Sequence, residues 1–410
     1  MTKLTYKHET DAPALRNFEL NSEAYKITLQ GVDEDVLRID LEAEVKFEDV
    51  SEDIIKEIMT FELNGENLEM QLKRHPKIKN GKIRIEIPKQ CNLEITGKSG
   101  SFEVRDFTNS FEIENQHGKI ALYNVIGDSE IRNQNGAIYA ENHQGNLEVS
   151  NTNGAIQLKK CQGEMQLHST NGVIRLSGCN GDLECTNQNG MIQVSESSFK
   201  NVELHNQNGP IYYEFAPIEE GNFEFENSNG RIQLIIPESI PYKLEAKTQM
   251  GKLNIALPGE YDQSNEDGYK TIEMQKGSGK VQISATNRMG GIILSDSPRK
   301  ETKFSFDKED LFDGKKLETE ITEAINSGLS EMKSALKSLN TINLPEPARN
   351  IMDKIKHKMT GTPAEPPVPP QEVNQPTEKM EQSRMKILEL LQAGTISVDD
   401  AGKLLEALEG

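Results

Sequence analysis

Apolar positions in the middle of the chain recur every 18 residues in four columns. The first holds Leu93, Phe111, Leu147, Met165 and Leu183, and the second Ile95, Ile113, Ile131, Val149 and Leu167. The third holds Phe102, Ile120, Ile138, Ile156 and Ile174, and the fourth Val104, Leu122, Ala140, Leu158 and Leu176. Only Ser129 is plainly polar in these columns, which run on to Leu244, Ala246, Leu253 and Ile255. The spacing within one repeat is 2, 7, 2, 7. Apolar residues two apart mark one face of a short strand, because side chains alternate along a strand. Seven residues then turn a corner. Each repeat therefore predicts a coil of two strands and two turns, stacked on its neighbours by parallel, in-register pairing. The fold class expected is all-β, a β-solenoid of about 18-residue coils around a narrow apolar core.

The corners have a signature of their own. Gly100, Gly118, Gly136, Gly154, Gly172 and Gly190 are 18 apart, and Gly209, Gly230 and Gly251 follow. Asn-x-Asn-Gly precedes several of them, at 133–136, 151–154, 187–190, 206–209 and 227–230. Gly and Asn tolerate the left-handed backbone of a tight corner. Stacked Asn side chains can also form amide ladders.

Outside 81–295 the pattern changes. Residues 1–80 read as a β-rich N-terminal cap, with Leu37, Ile39, Leu41, Ala43, Val45 and Phe47 alternating as a strand and a short helix over 51–59. About 20 residues are inserted after Pro258, and a last coil is expected at Val281, Ile283, Asn287, Gly290 and Ile292. Leu317, Ile321, Ile325, Leu329, Met332, Leu336 and Leu339 step by 4 and 3, predicting an amphipathic helix within 296–360. A second stripe, Ile351, Met352, Ile355 and Met359, lies beside Arg349, Lys354, Lys356 and Lys358. These helices are expected to cap the solenoid, to pair with a protein partner or a second subunit, or, less favoured, to touch a membrane peripherally. Residues 361–377 are a proline-rich linker. Residues 378–410 read as a two-helix module that docks or oligomerises.

The repeat lengthens at one corner only. The gap from the fourth column to the next first column grows from 7 residues to 8 and then 10. The longer segments hold Phe199, Phe215, Pro217, Ile218, Ile235, Ile236, Pro237, Ile240 and Tyr242. Because solenoid insertions collect on one face, these residues are expected to form an apolar ridge, either a binding surface or a seat for the 317–339 helix. Phe199, Phe215, Pro217, Ile218, Ile236 and Tyr242 are its candidate partner-binding residues.

Composition narrows the functions. The 410-residue chain carries 46 basic and 66 acidic residues, a net charge of −20. That argues against binding nucleic acid, which needs Lys and Arg to displace counterions. In the cap, Asp33 to Glu69 holds 14 acids and 3 bases, whereas Lys73 to Lys89 holds 7 bases and one acid. Trp is absent and aromatics are 5%. No N-terminal signal-peptide run and no stretch near the ~20 apolar residues of a membrane span is present, so a cytoplasmic location is expected.

Four cysteines make no disulfide framework. His143, Cys161 and Cys179 are 18 apart and should stack, but a straight ladder suits zinc poorly. Buried thiols are the preferred reading, with no metal and no cofactor. Phosphate-loop, H-E-x-x-H and G-x-S-x-G motifs are missing. Carbohydrate chemistry, known on other β-helices, needs carboxylates clustered on one outer face, which the coils are not expected to show. No enzyme is expected; a self-assembling filament is the alternative to a scaffold.

The N-x-N-G-x-I-x-L coils over 93–255 resemble the bacterial adhesin-type β-strand repeat family, whose function is unknown. The segment 387–408, ILELLQAGTISVDDAGKLLEAL, resembles a short helical module that accompanies it. That pairing is similar to Firmicutes envelope-stress proteins, including the daptomycin-sensing surface protein family, where the module is usually N-terminal. The resemblance implies a non-catalytic scaffold or interaction protein of the cell envelope, with no catalytic residues to carry over.

Overall fold

In the computed structural model, residues 2–45 and 53–297 are described, and they form 28 strands and one short helix, Asp53–Ile58. The 317–339 and 351–359 stripes, the proline-rich linker and the 378–410 module lie outside the described residues.

The coil expected from the spacing is present. In one of them, Leu147–Asn153 lies on a first sheet and Ile156–Lys159 on a second. Coils stack in parallel register 18 residues apart, with Ile156 between Ile138 and Ile174, and Val149 between Ile131 and Leu167. All four columns point between the sheets and are buried there, except that Leu253 and Ile255 in the last coil are only half-buried. Identical branched side chains thus pack on copies of themselves, and such burial is the main stabilising term. Ser129, the polar exception, is also buried, and its hydroxyl lies 2.8 Å from Nε2 of the buried His143.

Both Asn positions of the corner motif are structural. The first Asn is buried and donates to a glycine carbonyl of the preceding coil: Asn133 to Gly118 at 3.0 Å, Asn151 to Gly136 at 3.0 Å, Asn187 to Gly172 at 3.1 Å. The second Asn forms the amide ladder. Asn229 donates to Asn208, Asn208 to Asn189, Asn189 to Asn171, Asn171 to Asn153 and Asn153 to Asn135, each at 2.9–3.0 Å. At Gly154 the corner requires glycine twice over. Its φ is +129°, and a Cβ there would strike the carbonyl of Gly136 in the coil beneath.

The ends are interleaved. The strands Asn17–Ser22 and Lys26–Val32, near the N-terminus, are inserted between coils later in sequence: Asn17–Ser22 pairs with Asn67–Leu72 and Asn92–Ser99 on the first sheet. On the second sheet Lys26–Val32 pairs with Ile78–Pro88 and Ser101–Arg105. At the other end the coil Val281–Met289 and Ile292–Ser295 slides between two earlier coils, so Phe223 meets Ile283, and Ile283 meets Leu244. The columns continue through this coil rather than from Phe223 directly to Leu244. Antiparallel strands then close the stack: Thr2–Asp11 with Val36–Val45, Met59–Asn64 with Asn67–Leu72, and Tyr242–Thr248 with Tyr269–Gln275. The inserted residues after Pro258 form this last hairpin, with Asp262–Glu266 at the edge.

The outer faces of the two sheets differ. Outward positions on the first sheet, such as Glu94, Glu148 and Glu184, are exposed. Several outward positions on the second sheet are buried, among them Tyr139 at 2%, Gln193 at 4% and Gln233 at 2%, whereas Glu103, Arg175 and Ile293 in the same row are half-buried and Asn254 is exposed.

Candidate functional site

The first sheet's outer face is built by the repeat itself. Between the first and second apolar columns lies one residue whose side chain points outward. In-register stacking places that residue of every strand in a single row. Along the sheet the row reads Glu62, Glu69, Glu19, Glu94, Glu112, Glu130, Glu148, Gln166, Glu184, Glu203, Glu224, Ser284, Glu245, Glu273 and Asp262. Of these fifteen positions, all but Gln166 and Ser284 are carboxylates, thirteen in all. Each is exposed or half-exposed.

Like charges directly opposite one another on a sheet repel. At a strand spacing of ~4.8 Å, two unit charges in water repel by roughly 0.9 kcal/mol before salt screening. The fold does not require this arrangement, since Gln166 and Ser284 occupy the same row without disturbing the register. Compensation is local. Arg132 bonds Glu112 at 2.7 Å and Glu114 at 3.4 Å and also pairs with Glu130. Lys247 holds Glu245 at 2.7 Å. His205 lies 2.7 Å from Glu203 and 3.1 Å from Glu226. Partial burial disfavours the charged form of His205, but its bond to Glu203 and the charge of Glu226 outweigh that and raise its pKa above the ordinary histidine value.

Toward the C-terminal end the row deepens into an open groove of about 720 Å³. Glu164, Asp182, Glu184, Glu203, Glu224, Glu245, Asp262 and Glu273 line it, with Lys243 the single base. The clustered carboxylates that the coils were expected to lack are therefore present on one outer face. Two carboxylates act as acid and base only when their environments differ. Here all share the same open setting, which suits long-range attraction of a cation rather than proton transfer.

The other candidates fall elsewhere. Phe199, Phe215, Ile236 and Tyr242 are buried, Ile218 is half-buried against the core, and Pro217 is exposed. The longer corners bring aromatic bulk inward: Phe215 stacks 4.7 Å from Tyr213 and 4.7 Å from Phe223, and Tyr213 lies 5.2 Å from Phe225. As a surface for a partner, the set reduces to Pro217 and part of Ile218.

His143, Cys161 and Cys179 are all buried, and both thiols are free. A thiol–thiol hydrogen bond with Cys179, together with burial, pushes Cys161 well above its ordinary pKa. Burial lowers His143 to about 4, so it sits neutral against Ser129. Among the described residues no three His, Cys, Asp or Glu side chains are placed to hold a metal ion.

Residues 15–295 match the model of the Toastrack DUF4097 family, and residues 382–410 match that of the SHOCT-like domain. No curated protein matches the chain. Three solved structures are similar at low identity. A Clostridium sporogenes protein provisionally named a cell adhesion protein is 11% identical with a TM-score of 0.18, over 71% of this chain and 99% of that one. A Parabacteroides distasonis protein provisionally named as lipid binding is 12% identical with a TM-score of 0.32, over 72% and 95%. A Bacteroides fragilis protein provisionally named an adhesin is 13% identical with a TM-score of 0.26, over 72% and 98%.

Proposed function

The chain belongs to the Toastrack DUF4097 family, and we propose that it works as a non-catalytic β-solenoid that binds an extended polycationic partner along its acidic face. The row of thirteen stacked carboxylates carries this reading. A rigid sheet holds them at fixed intervals, so a flexible chain rich in Lys or Arg can meet several at once. Each contact relieves repulsion that the unbound row sustains. The same field repels nucleic acid and anionic lipid headgroups, in keeping with the net charge of −20.

The setting we propose is the bacterial cell envelope and its stress response. The resemblance of the repeat and of the C-terminal module to envelope-stress proteins supports it. The filament alternative finds no support at the hairpin end. There the edge strand Asp262–Glu266 carries only polar and charged side chains, all exposed, of the kind that discourages further strand addition.

Titrating the full chain with poly-L-lysine, with poly-L-glutamate and dextran as controls, tests the reading. Saturable binding of polylysine alone, lost at high salt, is the expected result. Equal binding of all three, or of none, would overturn it.

A further inference from the structure

One corner of the N-terminal cap runs against the chain's negative charge. There Tyr25, Lys26, Arg74 and Lys82 line an open cavity of about 750 Å³. Two acids, Glu42 and Glu44, line it as well, but each is engaged. Lys3 holds Glu42 at 3.3 Å, and Asn80 donates to Glu44 at 3.0 Å. Glu23 is taken by Lys98 at 3.0 Å and by the backbone N–H of Arg74 at 3.1 Å. Among the described residues this leaves Lys26, Arg74 and Lys82 with no ion pair. Lys26 and Lys82 stand directly opposite each other on neighbouring parallel strands, so their ammonium groups repel.

The backbone of this corner is strained. Tyr25 has φ +112°, well outside the left-handed region near +57° where the other non-glycine residues of positive φ lie. Two glycines make room for it: a Cβ on Gly81 would strike its ring, and a Cβ on Gly100 its carbonyl. Its hydroxyl donates to the Lys73 carbonyl at 2.7 Å. Together with the bond from Arg74 to Glu23, this fixes the backbone that carries Arg74 beside the cavity before any ligand arrives. Strain of this kind persists only where its surroundings over-determine it, and it gathers at ligand-binding sites. We infer that this corner binds a small organic phosphate. The Arg74 guanidinium offers a planar fork to two phosphate oxygens, and Lys26 and Lys82 offer point charges to the rest of the group. A phosphomonoester carries close to two negative charges, which relieve the repulsion between the two lysines. The cavity is larger than a phosphate group needs, and the Tyr25 ring gives the attached organic group an apolar wall. Glu42 and Glu44 repel a longer polyanion, so the charge that fits is compact. The site does not depend on what the acidic row binds.

Isothermal titration of the full chain with phenyl phosphate, and with benzoate as the carboxylate control, tests the site. Phenyl phosphate should bind saturably at one site per chain, at least about tenfold more tightly than benzoate. Lys26→Gln combined with Lys82→Gln should weaken it at least about tenfold, and Arg74→Ala, which keeps its backbone N–H on Glu23, should do the same. All three side chains are exposed, so the melting temperature should be retained; should the double variant fail to fold, Arg74→Ala decides. Flotation with phosphatidylcholine vesicles containing phosphatidic acid, a phosphomonoester headgroup, separates the two sources of the phosphate. Flotation that the same variants abolish assigns it to a lipid headgroup, and phenyl phosphate binding without flotation assigns it to a soluble ligand. No binding of phenyl phosphate, equal binding of benzoate, or binding that survives the variants would overturn the proposal.

Discussion

Three glycine substitutions separate the two constraints that the stacked corner places on the backbone. Gly259 has φ +124° and nothing within 4 Å of a Cβ built on it, so Gly259→Ala carries only backbone strain, about 1–3 kcal/mol. Gly172 has no positive φ, but its Cβ would strike the carbonyl of Gly154 in the coil beneath. Gly172→Ala therefore carries only the collision, which overpacking data put at about 1–3 kcal/mol. Gly154 combines φ +129° with a collision against the Gly136 carbonyl. Gly154→Ala should cost roughly the sum, about 2–6 kcal/mol, and should be the most destabilising of the three. Urea unfolding followed by circular dichroism gives each value. The collision cannot be relieved by turning a side chain, because backbone meets backbone; the coils themselves must separate. If Gly154→Ala proves no worse than Gly259→Ala, the close stacking of glycine on glycine is wrong.

Other substitutions probe the interior. Ile156→Asp places a carboxylate at a fully buried position between Ile138 and Ile174, and its melting temperature should fall by far more than that of Asn153→Ala, which loses only ladder bonds. Phe215→Ser empties a site among Tyr213 and Phe223 and should cost about 3–5 kcal/mol in urea unfolding; an unchanged midpoint would return Phe215 to the surface. His143 has a folded-state pKa of about 4, below its ordinary 6.5, so the neutral form belongs to the folded state. Its contribution is complete above pH ~6.5 and is lost as pH falls toward about 4, a span of a few kcal/mol. His143→Gln should flatten that part of the stability–pH curve relative to the parent chain.

The coil was legible because the 2-7-2-7 spacing permits only short strands with alternating faces. The neighbour order at the ends was not legible. Val281 and Ile283 match the same columns as Tyr242 and Leu244, so the apolar pattern fits either order, and the antiparallel closing strands decide. The apolar residues of the lengthened corner were expected outside. Their excess length instead carries Phe215 into an aromatic cluster, which composition alone does not show. The acidic row is legible at Glu94, Glu112, Glu130 and Glu148, each 18 apart and each one position beyond the first apolar column, but only where the polar positions are aligned as well as the apolar ones. Its extension through Glu19, Glu69 and Glu273 depends on interleaved and antiparallel pairings that no fixed period reveals.

The central claim is that the acidic row is the binding face. Its most direct test is the affinity of a fluorescent oligolysine for the full chain across increasing salt, compared with the combined variant Glu184→Gln, Glu203→Gln, Glu224→Gln and Glu245→Gln. Binding to the parent chain should weaken steeply with salt. The variant should bind at least about tenfold more weakly at low salt, with a shallower salt dependence, while its melting temperature is retained or raised. Equal affinity and equal salt slope for the two chains would contradict the account.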